Sequence, residues 1–516
     1  MNANLFAALQ GAFPADLDSC AIECAECSDG SAQGQALHYS WRDLERGTAM
    51  LANLLLSLDL PAGSRIAAHT EKSVEALMLY LAVLRAGYVY LPLNPAYQAA
   101  ELDYFLKDAE PAVLVCAGAQ FGWVSKLAFL AGTTYVFTLN SDRSGSLLDR
   151  ASSMSDRHDV AEKSAGDLAA ILYTSGTTGL SKGAMLSHGN LLSNARTLKD
   201  FWAWRSDDVL IHALPIFHVH GLFVASHGAI LAGAKMIWFA KFEPREVIRR
   251  FADATVFMGV PTLYVRMLGE AALTPAACAR MRLFISGSAP LLLDTFADWQ
   301  TRSGHIILER YGMSETLMLS SNPCRALDGE RVGGTVGPAL PGVELRVQDE
   351  AGRLCAPGEI GAIEVRGPSV FSGYWRMPEK TQQEFTADGW FKTGDVGKRD
   401  ANGYVTIVGR SKDLIISGGF NVYPAEIEGF LNELEGVAES AVIGVPHADF
   451  GEAVIAVLVA KPAHSLDGAA LIATLKRQIA GFKVPKQIFV VGELPRNAMG
   501  KVQKKLLREQ HGGLFA

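Results

Sequence analysis

Leu168-Ala169-Ala170-Ile171-Leu172-Tyr173-Thr174-Ser175-Gly176-Thr177-Thr178-Gly179-Leu180-Ser181-Lys182-Gly183 starts as an apolar run and becomes a loop of glycines and hydroxyls closed by a lysine. The run Leu168 to Leu172 has the length and character of a buried strand. Glycines after it let the backbone approach a ligand's oxygens; Thr174, Ser175, Thr177 and Thr178 bring hydroxyl donors, and Lys182 brings positive charge. Together they predict a polyphosphate site. It is not a Walker loop, because Gly183 stands where that motif needs serine or threonine after the lysine. A plain surface turn would not need so many donors behind one buried strand.

Outward from this loop, helical and strand patterns alternate. Helical spacing covers Arg46 to Leu58, Val74 to Arg85 and Leu102 to Leu106, and short apolar runs cover Ile66 to Ala68, Tyr88 to Leu91 and Ala112 to Cys116. Beyond the loop, strands are expected at Val209 to Leu214, Lys235 to Phe239, Thr255 to Gly259 and Leu283 to Ser286. Such alternation is the mark of βαβ units and parallel sheets, hence an α/β fold. After Gly342 the pattern turns to short strands at Val343 to Val347, Ile360 to Val365 and Tyr404 to Val408, which predicts a small β-rich subdomain. From Lys412 onward, helices at Pro424 to Leu434 and Ala469 to Ile479 interleave with strands at Ser440 to Ile443, Val454 to Val459 and Gln487 to Val491. That is a separate α+β unit of ordinary domain size. The expected domains are 1–411 and 412–516.

The 516 residues exceed what one core usually serves. A charged fraction of 20% is that of an ordinary globular protein. The net charge of −7 gives no general attraction to nucleic acid or anionic membrane, so neither is an expected partner. The opening Met1-Asn2-Ala3-Asn4-Leu5 leads into no charged-then-apolar signal and no membrane-spanning run, and a cytoplasmic location is expected. Seven cysteines, an odd number, suggest reduced thiols. Cys20, Cys24 and Cys27 have a spacing that three iron–sulfur ligands could use. The surrounding strand-turn-strand pattern, without a glycine-rich cofactor loop nearby, favours structural thiols.

Four further strings follow the loop in order: Tyr311-Gly312-Met313-Ser314-Glu315-Thr316, Thr393-Gly394-Asp395, Gly409-Arg410-Ser411-Lys412-Asp413 and Pro495-Arg496-Asn497-Ala498-Met499-Gly500-Lys501. With the loop they resemble the signature of the adenylate-forming superfamily across nearly the whole chain. That family includes acyl-CoA synthetases, peptide-synthetase adenylation domains and beetle luciferases. The resemblance implies a large domain of fused α/β subdomains with a β-rich subdomain, followed by a smaller mobile domain. It also implies ATP and CoA as co-substrates, Mg²⁺ as cofactor, and no obligate protein partner.

Roles follow from the resemblance and from chemistry. Thr174 through Gly179 and Lys182 would hold the phosphates; Thr177 and the hard carboxylate of Glu315 would hold Mg²⁺. Tyr311 offers a flat face for adenine. The backbone of Ser286-Gly287-Ser288-Ala289-Pro290 and the segment Glu309-Arg310-Tyr311-Gly312-Met313-Ser314 would complete the nucleotide wall. Asp395 would accept from the ribose hydroxyls, with Arg410 as its companion. Lys501 is implied as the catalytic cation, because a carboxylate attacking an α-phosphate brings two anions together. Lys412 is implied as the hinge on which the smaller domain turns between half-reactions. That turn would bring Ser417-Gly418-Gly419-Phe420 to the CoA thiol, where glycines leave room for the pantetheine arm.

Leu214 to Leu222 matches the family's acyl-pocket wall, with His218 lining or gating the carboxylate site and counted as a catalytic candidate. His212, His218 and His220 are close in sequence, but no fourth zinc ligand is evident. Arg266 and Arg282 flank elements expected to meet at the pocket, where they would pair with the second carboxylate of a diacid. Met313 would also touch the acid. This neighbourhood resembles malonyl-CoA synthetases, which implies malonate or methylmalonate as substrate. If the arginines are instead paired structurally, with Glu309 or Asp294, a short-chain or aryl acyl-CoA synthetase is the alternative. A luciferase-like oxygenase lacks any positive sign here. A nucleotide-binding pseudoenzyme would have lost Glu315, Asp395 or Lys501, and all are present.

Overall fold

The computed structural model describes residues 2–25, 37–174, 181–417, 420–447, 449–497 and 500–515. Ser175, Gly176, Thr177, Thr178, Gly179, Gly418, Gly419 and Cys27 therefore lie outside the described residues. The chain divides into two compact units. One holds Met1–Gly333, Leu340–Val343 and Arg366–Phe385; the other holds Gly334–Ala339, Glu344–Val365 and Thr386–Ala516. By packing, most of the small β-rich region goes with the C-terminal part, whereas the sequence patterns place a domain boundary near Lys412.

The first unit is built on two sheets. In one, strands run in the order 135–138, 113–116, 65–69, 89–92, 168–174 and 182–187. All its neighbours are parallel except the last pair. In the other the order is 317–321, 308–313, 283–286, 256–259, 209–212, 235–238, 20–24 and 38–40, with antiparallel pairs only at the two edges. The strands expected from the βαβ alternation appear with bounds shifted by a residue or two, as frayed ends allow.

Helix Val74–Arg85 is apolar on every side except for Glu75 and Arg85 at its two ends and is buried at every position. Such a helix can only sit between layers. Tyr80 shows this, touching Tyr90 of one sheet and Phe223 and His227 beside the other, with its hydroxyl 2.8 Å from His227 Nε2. The helix's charged residues are both paired, Arg85 with Glu45 at 2.8 Å and Glu75 with Arg143 at 3.2 Å. On the eight-stranded sheet, Phe251, Phe257, Tyr264, Phe284 and Trp299 pack largely edge to face, an arrangement that adds to simple burial.

The second unit holds an antiparallel sheet of strands Glu344–Gln348, Gly361–Arg366, Phe391–Arg399 and Val405–Arg410. Its other sheet joins 420–422, 415–417, 451–460 and 437–447, with 487–491 parallel to 451–460. One face of that sheet buries Ile427, Leu431, Val442, Val454 and Leu475; the opposite face buries Ile443, Ile455, Val457, Leu494 and Leu507. No helix among the described residues is long and apolar enough to cross a membrane.

Candidate active site

Strands Leu168–Thr174 and Lys182–Ser187 pair antiparallel, with Thr174 opposite Lys182. The two described ends of the phosphate-loop string are thus side by side, and the Thr174 hydroxyl donates to the Lys182 carbonyl at 3.4 Å. The segment after Phe371 zips onto the same strand: Met185 N donates to Gly373 O at 3.0 Å and Trp375 N to Gly183 O at 2.7 Å. This places the Tyr374 ring under Lys182, whose Nζ lies 4.3 Å from the ring centroid and 3.3 Å from Glu384. The Tyr374 hydroxyl in turn donates to Glu315 Oε1 at 3.0 Å. The lysine and the carboxylate expected at the triphosphate are therefore joined through a tyrosine that no motif pointed to.

Glu315 sits in the tight reversal between strands Leu308–Met313 and Leu317–Ser321, and its carbonyl accepts from Phe371 N at 2.8 Å. A Cβ at Gly312 would lie 2.0 Å from the Leu317 carbonyl oxygen. The glycine of the Tyr-Gly motif is thus demanded by the chain reversal that presents Glu315. A buried carboxylate in this setting is a suitable hard ligand for Mg²⁺.

The strands 209–212, 256–259, 283–286 and 308–313 run parallel, so their carboxyl ends share one edge. Ligands in open α/β sheets bind at that edge. Here His212 accepts at Nδ1 from Lys72 Nζ at 3.0 Å, while its Nε2 donates to the Gly221 carbonyl at 3.0 Å. Lys72 also donates to the carbonyls of His212 and Phe239, both at 2.8 Å. This fully bonded lysine, another residue that no motif singled out, anchors the π-helical turn His220–Ala225. His212 is therefore a structural clamp. Desolvation pushes His218 down to about 4, and burial holds His220 well below its usual range, so both imidazoles are neutral at neutral pH.

Around Gly287 the same edge carries a guanidinium. Arg310 is 3% exposed, and a Cβ at Gly287 would lie 2.6 Å from its Cζ. Burial pushes it down to about 9, which leaves it charged at neutral pH. Ser288, at φ +72°, turns its hydroxyl to within 3.3 Å of His220 Nδ1.

Of the two arginines expected to read a diacid, Arg282 stands elsewhere. Arg282 precedes its strand and so lies at the amino edge of the sheet, where it is bidentate to buried Asp208, with Nε at 2.7 Å and Nη2 at 2.5 Å. Its guanidinium also donates to the Trp202 carbonyl at 3.3 Å. Arg282 as an acyl-pocket residue is corrected accordingly: it is a structural clamp, and its partner is Asp208 rather than Glu309 or Asp294. Arg266 is exposed on helix Pro261–Leu268, with its guanidinium 5.0 Å from the Phe242 ring centroid.

In the second unit Asp395 and Arg410 are register partners, and Arg410 Nε lies 2.7 Å from Asp395 Oδ1. Asp395 N donates to the Thr393 hydroxyl at 3.1 Å. Lys412 is lowered to about 8 by burial and then by Arg410. Lys501 keeps surface exposure, yet surrounding protein desolvates it and Arg410 repels it, so its pKa is lowered despite opposing attraction from Asp395 and Asp413. Its backbone N–H is fixed by Asn497 Oδ1 at 3.0 Å, and Arg496 Nη1 donates to Gly500 O at 2.6 Å. The Pro-Arg-Asn string thus folds on itself to present the lysine. Ser417 pairs with Phe420, whose exposed ring stacks on Phe482 at 4.5 Å.

Comparison with known proteins gives the family. Residues 24–375 match the AMP-binding enzyme family and residues 426–501 the AMP-binding enzyme C-terminal domain. A malonate–CoA ligase of Arabidopsis thaliana is 36% identical over 87% of this chain and 78% of its own. A feruloyl-CoA synthase of Amycolatopsis sp is 34% identical over 93% of this chain and 95% of its own. The crystal structure of ATP-bound MatB from Rhodopseudomonas palustris superposes over 100% of both chains with a TM-score of 0.95 and 54% identity.

Proposed function

The chain belongs to the AMP-binding enzyme family, and we propose that it works as a malonyl-CoA synthetase, turning malonate, ATP and CoA into malonyl-CoA, AMP and pyrophosphate. It is an AMP-forming acyl-CoA ligase. The likeness to the malonate–CoA ligase carries the choice of acid. In the first half-reaction a malonate carboxylate oxygen attacks the α-phosphorus and pyrophosphate leaves, giving malonyl-adenylate. In the second, the CoA sulfur attacks the acyl carbon and AMP leaves as the thiol proton is lost to solvent or base.

Lys182 and Thr174 serve the phosphates, with Ser175 through Gly179 beside them. Tyr311, the Ser286 to Pro290 backbone and the strand segment Glu309 to Ser314 border the nucleotide. Asp395, supported by Arg410, takes the ribose. Glu315 and Thr177 are the groups that would hold Mg²⁺, which when bound draws charge from the triphosphate oxygens. Lys501 bridges the acyl oxygen and the α-phosphate as charge redistributes, a role suited to a desolvated ammonium near the ribose carboxylate. His218, neutral and at the acyl wall, lines the carboxylate site without adding charge. The boundary between 1–411 and 412–516, at Lys412, is the hinge between half-reactions, and Ser417 to Phe420 faces the pantetheine arm. We place the reaction in the cytoplasm.

The test separates the half-reactions. Lys501→Ala is expected to lose malonate-dependent pyrophosphate release by on the order of 10²-fold or more. Thioester formation from supplied malonyl-adenylate should survive. Equal loss of both would contradict the division of labour. Turnover with benzoate above that with malonate would contradict the choice of acid.

A further inference from the structure

Lys501 stands among acids that each hold another cation. Arg410 Nε is 2.7 Å from Asp395, Arg508 Nη2 is 2.6 Å from Asp413, and Lys504 Nζ is 2.6 Å from Glu428. Arg496, whose guanidinium also donates to Gly500 O, pairs with Glu439. Lys501 is held only through its backbone N–H, and its ammonium has no hydrogen-bond or ion-pair partner among the described residues. Asp395 and Asp413 nevertheless lie near enough to attract it.

Of these acids Asp413 is the one whose commitment depends on a single side chain. Asp395 and Arg410 are register partners, so strand pairing itself holds them together. Glu428 accepts from Val442 N at 2.7 Å as well as from its lysine. Asp413 lies in the turn Ser411–Asp413, directly after Lys412, and Arg508 supplies its one ion pair among the described residues. The arginine comes from helix Lys504–His511, the element that follows Lys501, and buried Leu507 beside it seats that helix on the sheet. The guanidinium is thus delivered to Asp413 by packing. Burial raises the Asp413 pKa, but the bond from Arg508 and the nearby lysines outweigh it, so the carboxyl is an anion at neutral pH.

An ammonium that bridges an acyl oxygen and a phosphate must be free to reach both. A carboxylate bonded to it would cancel its charge and fix its direction. We propose that Arg508 is a positioning residue for the first half-reaction: by occupying Asp413, it keeps that carboxylate from capturing the Lys501 ammonium. The inference rests on the role proposed for Lys501 above. No bond-making step passes through Arg508. Without it, an ionised Asp413 would face the uncommitted ammonium groups of Lys412 and Lys501.

The test measures malonate-dependent pyrophosphate release, and thioester formation from supplied malonyl-adenylate, in wild type, Arg508→Met, Asp413→Asn and the double variant. Arg508→Met should slow pyrophosphate release by on the order of 10-fold, the scale of one charged hydrogen bond. Asp413→Asn alone should leave it within about twofold of wild type, and adding Asp413→Asn to Arg508→Met should restore it, the mark of a coupled pair. Thioester formation should stay within about twofold in all four. Arg508→Gln, which keeps a hydrogen-bond donor but loses the charge, should show part of the loss and the same rescue, and it serves if the methionine variant does not fold. A purely structural role would leave the double variant as slow as Arg508→Met, or slow both half-reactions alike. Either result overturns the proposal, as does an unchanged rate in Arg508→Met and Arg508→Gln. Lys501→Ala, run alongside, separates this from the reading beneath it. If that variant loses pyrophosphate release while Arg508→Met keeps it, the lysine stands and the role of Arg508 falls; if Lys501→Ala keeps its rate, both fall.

Discussion

Arg282 and Arg310 belong to neighbouring strands of one sheet but stand at its opposite edges, and their surroundings differ completely. Arg282, at the amino edge, has a buried carboxylate within bonding distance and a carbonyl besides. Arg310, at the carboxyl edge, has a glycine, a neutral histidine and two serines, and its Nε and Nη2 remain unpaired. A protein that needs a cation for architecture supplies the anion itself. A protein that needs one for a ligand leaves the anion out and bears the cost, which is why an unsatisfied buried charge is informative.

The contrast can be broken first at its structural side. Arg282→Ala would remove the bidentate partner of buried Asp208, leaving it the Thr255 hydroxyl at 2.8 Å, the Arg205 N–H at 2.9 Å and the looser Arg205 guanidinium at 3.7 Å, and should cost about 1.5–3 kcal/mol of stability, measured by urea unfolding. Preference for malonate over acetate should remain within about twofold. A large change in preference would restore Arg282 to the acyl site.

Arg310→Met should do the reverse and gain stability. Replacing an unpaired buried ion with an apolar side chain should raise the thermal midpoint by about 2–4 °C.

A third outcome concerns acid. Burial alone would raise the Asp208 pKa, but the bonds and charge of Arg282, together with bonds from the Thr255 hydroxyl and the Arg205 N–H, outweigh it and hold the carboxyl below its usual range. A depressed folded-state pKa contributes stability that is complete above the ordinary aspartate range and is lost as pH falls through the folded value. Arg282→Ala should therefore move the acid unfolding transition to higher pH. An unmoved transition would mean the pair contributes nothing.

The smallest expected effect lies at the phosphates. Tyr374→Phe removes one hydrogen bond to Glu315 and should raise KM for ATP by about fivefold, the equivalent of roughly 1 kcal/mol, without altering acid preference. An altered preference would mean the nucleotide and acyl contacts are not separable.

Much of this organisation was legible before any coordinates. The alternation of apolar runs and helical spacing located the central parallel strands and the helix Val74–Arg85, whose burial at every position appears only in the folded chain. Ordered motifs named Asp395, Arg410 and Lys501, which do share one unit. Arg282 was misplaced although its position was readable: a residue that precedes a strand lies at the amino edge, away from where α/β sheets bind ligands. Its partner was not readable, because Asp208 is 74 residues away in sequence. Tyr374 and Lys72 escaped for the same reason, since each acts through contacts made only when distant segments pack. Arg310 was seen, but its motif context concealed that it has no partner.

The most direct measurement is a competition. Wild type and Arg282→Met are each given equal malonate, methylmalonate, acetate and benzoate with ATP and CoA, and the thioesters are identified by mass spectrometry. Dicarboxylic acyl-CoA should dominate with both. Acetyl-CoA or benzoyl-CoA as the main wild-type product, or a collapse of that dominance caused by Arg282→Met, would contradict the account.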